Sequence, residues 1–355
     1  LGIEPTVSPT LMRRELAPLR RQSAAGAGLL FAAGMSLYIA GFAATLVERE
    51  LWVLVLSSAA LGPLIALLFR IAHDAGHNSH FADRRWNQVI ARLCILPSYH
   101  PYSIWLWLHN KSHHGFTNLR DRDYIWVPQS KTDYDRSTPI GRAAERFYRS
   151  AIGVGWYYCY EIWWRKMLRR PANARLASSK AMTYDRLSVG AFFCAQLAAI
   201  AASADSIGAL ITVLAAAIVV PFLVFCWMVG YVSFFNHTHP RVPWFSRASE
   251  WSFFGGQLNC TVHMSVPPWL VFFLTDLGLH GTHHFDPRIP IWRLSGAEEI
   301  VGRVFARDIV FERWTFRSQT AILRACKLYD YDAHRWLDFA GRPTTPAILG
   351  AAAVE

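Results

Sequence analysis

From residue 207 to residue 235 the chain runs for 29 residues without one Asp, Glu, Lys, Arg or His. Such a run has few fates, because roughly 20 apolar residues coiled as a helix cross the ~30 Å hydrocarbon core of a bilayer. Two more stretches, 25–46 and 51–69, are equally free of ionisable side chains. A fourth apolar stretch, 187–202, is thin for a span at sixteen residues, and the turn Ser203-Ala204-Asp205-Ser206 joins it to the longest run. We therefore expect an all-α integral membrane fold with about four transmembrane helices, over 25–46, 51–70, 187–202 and 207–235, and a cytoplasmic helical cap.

Composition points the same way: 53% hydrophobic and only 17% charged residues lie outside the range of ordinary soluble domains. A net charge of +11 suits nucleic acid, an anionic membrane surface or an acidic protein partner. The apolar runs favour the last two, so membrane lipid is an expected partner and nucleic acid is not. The six cysteines stand singly with no CxxC pair, which excludes a zinc ribbon, an iron-sulfur cluster or a disulfide framework. The first apolar run is long enough to span, so it reads as a retained anchor and not as a cleaved signal.

Residues 1–24, with the pairs Arg13-Arg14 and Arg20-Arg21, read as a cytoplasmic N-terminal arm. They precede a membrane domain over 25–300 and a cytoplasmic C-terminal tail over 301–355. Extended through His77, the second helix would reach on the order of 40 Å, which carries His73 and His77 past the membrane on the N-terminal side. Residues 90–108 are apolar but broken by Arg92, Pro97, His100 and Pro101, as in a surface-lying helix. The aromatic stretch 156–164 and the basic residues after it fit headgroup level. The loops between paired spans carry one basic residue, Arg49, whereas the other segments are rich in arginine. By the positive-inside rule the histidine-bearing segments face the cytoplasm.

Eight of the fourteen histidines sit in three tight groups: His73 and His77; His109, His113 and His114; His280, His283 and His284. On an α-helix His109 and His113 would share a face and His114 would be turned about 100° away. The doublets could thus hand one nitrogen to each of two neighbouring ions. Neutral imidazole suits iron, zinc, copper and nickel, whereas magnesium and calcium prefer oxygen ligands. Eight imidazoles are too many for one ion, so two metals is the economical count. A hydrolytic zinc pair usually recruits bridging carboxylates and a base. Asp74 and Asp276 read as the nearby acids, with no HExxH pattern, and the Glu and ExxH signature of carboxylate-rich di-iron bundles is also missing. A redox metal is favoured.

The set HxxxH (His73, His77), HxxxHH (His109, His113, His114) and HxxHH (His280, His283, His284), following paired spans, resembles the membrane fatty acid desaturase superfamily. The segments His73-Asp-Ala-Gly-His77, Asn236-His237-Thr238-His239-Pro240 and His284-Phe-Asp-Pro-Arg-Ile-Pro290 resemble the omega-6 (delta-12) acyl desaturases more narrowly, over about residues 50–300. The resemblance implies two iron ions held by the eight boxed histidines as the catalytic set, with dioxygen as co-substrate. It also implies a long acyl substrate on lipid, coenzyme A or acyl carrier protein, and an external electron donor such as ferredoxin or cytochrome b5. A further metal ligand is implied at the end of the fourth span, where His237 and His239 both qualify. Residues i and i+2 do not share a helix face, so one of the two is expected to bind, and spacing leaves the choice open.

Asp74 and Asp276 could orient ligand imidazoles from outside, since a ligating histidine commonly donates its other N–H to a carboxylate. Asn236 could hold a metal-bound water, orient a ligand or cap the helix end. His80 could be a ninth ligand, but its place outside the box favours a surface role, and His100, His263 and His334 read as isolated histidines, satisfied or exposed. The same boxes serve hydroxylases, acetylenases and carotenoid oxygenases. A non-enzymatic membrane metal-binding or transport protein is the rival from another class. It would need ionisable residues inside the spans, and three of the runs have none.

Overall fold

The computed structural model describes residues 8–48, 50–169, 179–267, 278–305 and 309–349. It divides into two compact units, one of residues 22–107 and 158–229, the other of residues 1–21, 108–157 and 230–355. Among the described residues four helices are long and apolar enough to cross a membrane: Ala24–Val47, Leu51–Gly76, Lys180–Ser203 and Ile207–His237. Three of them start on serine. The Ser23, Ser179 and Ser206 hydroxyls accept from the amides of Gly26, Met182 and Ala209 at 3.2, 3.2 and 3.1 Å, satisfying N–H groups that the first turn leaves open.

The third helix begins at Lys180, not at the expected 187. Its early turns carry Asp185, which looks like a span-breaking charge. In the fold Asp185 is buried, accepts from Arg92 Nε at 3.0 Å and from the Ser103 amide at 2.6 Å, and so stays inside the helix. The resulting 24 residues remove the difficulty of a short span. Within the fourth helix the turn over Ala215–Val219 is widened to a π-helix. Pro221 has no N–H to bond back to Ala217, and the wider turn accommodates its ring.

Inside the unit of residues 22–107 and 158–229, close packing relies on small and polar side chains, as expected where lipid gives helices no hydrophobic reason to associate. The Gln196 amide donates to Tyr38 Oη at 3.0 Å and its oxygen accepts from Tyr99 Oη at 2.8 Å. A Cβ on Gly62 would stand 2.4 Å from Val224 Cγ1 and 3.3 Å from the Pro221 carbonyl. Gly62→Leu should therefore pry these helices apart. We expect a loss of about 1–3 kcal/mol, seen as a lower midpoint of thermal unfolding in detergent.

The other unit is also largely helical, with two short ladders that the all-α expectation did not include. Val262–Ser265 pairs in parallel with Val310–Arg313, Val262 opposite Val310, and Leu328–Asp330 pairs antiparallel with Arg335–Leu337. Met12, Leu16, Leu258, Phe285, Ile289, Leu294, Ala297, Val301, Phe305 and Ile309 form one buried core. Phe285 ends the six-residue helix His280–Phe285, which is thereby anchored on that core.

Candidate metal centre

The second histidine group lies where the helix Tyr102–Trp107 continues as a π-helical turn over Leu108–His113. The His114 amide donates to the His109 carbonyl at 2.9 Å, an i to i+5 bond. This overturns the α-helical expectation that His109 and His113 act together. His109 Nε2 instead lies 3.0 Å from His114 Nε2, and His283 Nε2 lies 3.3 Å from the same atom.

His113 joins a different set. Nitrogens of His113, His237, His280 and His284 all lie within 4.8 Å of one another, and all four residues are buried. His280 Nε2 is 2.9 Å from His237 Nε2 and 3.0 Å from His284 Nε2. Each doublet is divided: His113 and His284 serve one set, His114 and His283 the other.

The outer nitrogens show what this set can hold. His113 Nδ1 faces Asp123 Oδ1 at 3.0 Å, His237 Nδ1 faces the Cys260 carbonyl at 3.1 Å, and His284 Nδ1 faces Gln257 Oε1 at 3.1 Å. The Gln257 orientation follows from its Nε2, which donates to the His114 carbonyl at 2.9 Å and to Thr117 Oγ1 at 3.3 Å. All three partners are acceptors, so each Nδ1 carries the proton and each Nε2 presents a bare lone pair. The lone pairs of His237 and His284 stand at hydrogen-bond distance from His280 Nε2, with His113 within 4.8 Å, and they repel one another unless a cation lies among them. A metal ion fits these residues, and the outer acceptors are the arrangement that fixes ligand tautomer and ring orientation.

Burial, and then the neighbouring imidazoles of His114 and His280, hold His284 well below the ordinary histidine value and keep it neutral. Burial alone would raise the Asp123 carboxyl. Attraction toward the His113 ring and its Nδ1–H bond, with the Asn118 amide at 2.9 Å, outweigh it and leave the carboxyl below its usual value. Asp123→Asn should lower metal affinity roughly 10–100-fold, measured by competition with a chelator, because one acceptor oxygen becomes a donor facing an N–H.

His239 is placed otherwise. Its Nδ1 accepts from the Arg241 amide at 3.1 Å and its Nε2 donates to Glu312 Oε2 at 3.1 Å, so both nitrogens are taken by protein. In the unit of residues 22–107, the rings of His73 and His77 stand one helical turn apart with centroids separated by 4.9 Å. Asp74 Oδ1 lies 3.5 Å from both His73 Nδ1 and Arg70 Nε. Asn236 is fully buried, and its amide oxygen and nitrogen meet no hydrogen-bond partner among the described residues. Asp276 lies outside the described residues.

His80, expected at the surface, is buried and donates from Nε2 to the Ala27 carbonyl at 3.2 Å, because the chain after His77 folds back onto the first long helix. His100 is satisfied by Ser98 and Tyr158, His263 bonds Glu298 through Nδ1, and His334 Nδ1 faces the Trp244 carbonyl. Asp123, Gln257 and the Cys260 carbonyl escaped the reading of the sequence. Asp123 follows His113 by ten residues through left-handed positions at Asn118 and Asp121, and no periodicity marks it.

Comparison with known proteins agrees with this centre. The family model described as fatty acid desaturase matches residues 50–316. The chain is 27% identical over 289 residues to the chloroplastic omega-6 fatty acid desaturase of Brassica napus, covering 80% of this chain and 62% of that protein. It is 29% identical over 286 residues to the sn-1 oleoyl-lipid 12-desaturase of Picosynechococcus, covering 79% and 77%. A Synechocystis protein of the same name is 28% identical over 270 residues, covering 76% and 74%. The chain thus spans about three fifths of the length of its plant relatives. With three quarters of its residues matched and its histidines gathered into metal-ready sets, the chain belongs to the fatty acid desaturase family.

Proposed function

We propose that the chain is a membrane oxidoreductase that introduces a carbon-carbon double bond into a long acyl chain, using two irons, dioxygen and electrons from an external donor such as ferredoxin or cytochrome b5. The observation that carries this is the convergence of His113, His237, His280 and His284 with their outer nitrogens already committed to acceptors. His109, His114 and His283 supply three nitrogens toward a second ion. His73 and His77, which share one helix face and keep the HxxxH spacing, are proposed as metal ligands as well.

Bound iron supplies the activation of dioxygen needed to remove hydrogen from an unactivated methylene. The chain's own residues do the rest. Asp123, Gln257 and the Cys260 carbonyl hold protons on the outer nitrogens and keep the inner ones available. Burial of the imidazoles excludes bulk water from the reacting centre. Overall, an acyl CH2–CH2 unit, dioxygen, two electrons and two protons give an alkene and two waters. The names of the relatives point to oleoyl chains on lipid, and we place the substrate in that class, an acyl chain on a membrane lipid. The positive-inside charge pattern favours a cytoplasmic catalytic face.

Expression in a host of defined lipid composition tests the proposal. New double bonds in lipid acyl chains, absent with His113→Ala, are the expected result. A hydroxylated or triple-bonded product, or unchanged lipids beside iron-loaded protein, contradicts desaturation.

A further inference from the structure

The helix His280–Phe285 carries three of the proposed ligands in six residues. A helix that short has little stability of its own, so the aim of its imidazoles must be set by what packs around it. At its middle, the Thr282 hydroxyl donates to Glu298, whose other oxygen accepts from His263 Nδ1 at 2.7 Å. At its C-terminal end the contacts come from the beginning of the chain.

Arg20 Nε and Nη2 both donate to Asp286 Oδ2, at 2.8 and 2.5 Å. Asp286 is 2% exposed and stands two residues beyond His284. Arg13 Nη2 donates to the Phe285 carbonyl at 3.3 Å, at the helix end where the backbone dipole attracts a cation. The Arg13 guanidinium also lies 5.7, 5.1 and 5.7 Å from the ring centroids of Phe253, Phe254 and Phe285. Arg20 Nη2 closes the arm on itself by donating to the Arg13 carbonyl at 3.1 Å. Beneath these polar contacts Met12 and Leu16 are buried in the same core as Phe285.

The geometry points to residues 8–20 as a positioning arm for the third histidine group, with the Arg20–Asp286 pair as its fastening. The arm touches no reacting atom. It acts through Asp286 and Phe285 on the direction of His280, His283 and His284. A loose arm would leave the buried Asp286 with only the exposed Arg288, 3.6 Å away, as its cation, a costly state, whereas a fastened arm satisfies the carboxylate and fixes the helix end together. This assignment rests on the metal-centre reading given above.

Arg20→Asp, Asp286→Arg and the double reversal, each in the full chain, test the assignment with cobalt(II) as the probe metal. Cobalt affinity and the visible bands of the bound ion, which follow ligand geometry, are read beside thermal unfolding of the metal-free protein. Each single reversal should weaken cobalt binding roughly 10–100-fold, as for other residues that orient ligands, and shift the bands. The double reversal should restore most of both. Arg20→Gln, a milder change, should weaken binding about tenfold while the metal-free protein still folds. Single variants with the wild-type spectrum and affinity overturn the assignment, as does an Arg20→Gln protein that loses thermal stability while its cobalt site is unchanged. Wild-type protein that takes up no cobalt overturns the metal reading itself, and the arm with it.

Discussion

His237→Ala should cost more than about 100-fold in turnover and remove one metal per chain, while His239→Ala leaves both metals in place. Loss of partners that merely orient a ligand already costs roughly 10–100-fold, and His237, which we propose as a ligand, holds its Nε2 2.9 Å from that of His280. Its other nitrogen is held at 3.1 Å by the Cys260 carbonyl. The two histidines are two residues apart, but their hydrogen bonds run in opposite senses. His239 accepts the Arg241 amide on Nδ1 and gives its proton to Glu312. Its removal strips a buried hydrogen bond, so thermal stability should fall, yet no lone pair leaves the centre. Metal analysis of the two purified variants separates the roles, and a His239→Ala protein that loses metal as His237→Ala does would reverse the assignment.

Gly281→Ala should be nearly as damaging although it alters no ligand. A Cβ at that position would stand 2.3, 2.6 and 2.7 Å from three atoms of the His263 ring. The ring cannot easily withdraw, being 1% exposed and held by Glu298 at 2.7 Å. The helix His280–Phe285 must move instead, and it carries proposed ligands of both sets. Overpacking of this kind costs about 1–3 kcal/mol, and the displaced imidazoles should weaken metal retention by roughly 10–100-fold. The check is chelator-resistant metal per chain. Adding His263→Ala to Gly281→Ala makes room for the methyl and should recover much of the retention. Wild-type retention in the single variant contradicts the packing account.

Much of this architecture could be read from the residues alone. Runs without ionisable side chains over 25–46, 51–69 and 207–235 mark three of the four long helices directly. The third helix was legible only in its apolar half, because a buried Asp185 paired with Arg92 looks like a boundary until its partners are known. The histidine groups stood out by clustering. Their division into sets did not, since periodicity assumes an α-helix and the chain forms a π turn that brings His114 toward His109 and leaves His113 to the other set. The choice between His237 and His239 depends on which nitrogen carries the proton, and only the surrounding acceptors reveal that. Asp123 and Gln257 have no local signal, because the one acts from a loop and the other from the short helix Phe253–Asn259, both brought in by the fold. The Arg20–Asp286 contact spans 266 residues, a separation no motif encodes.

The most direct test is the iron content of the purified, active protein. Two tightly held irons per chain are expected, with one lost when a single set is disabled by His237→Ala. Full activity in protein that holds no iron would contradict the account at its centre.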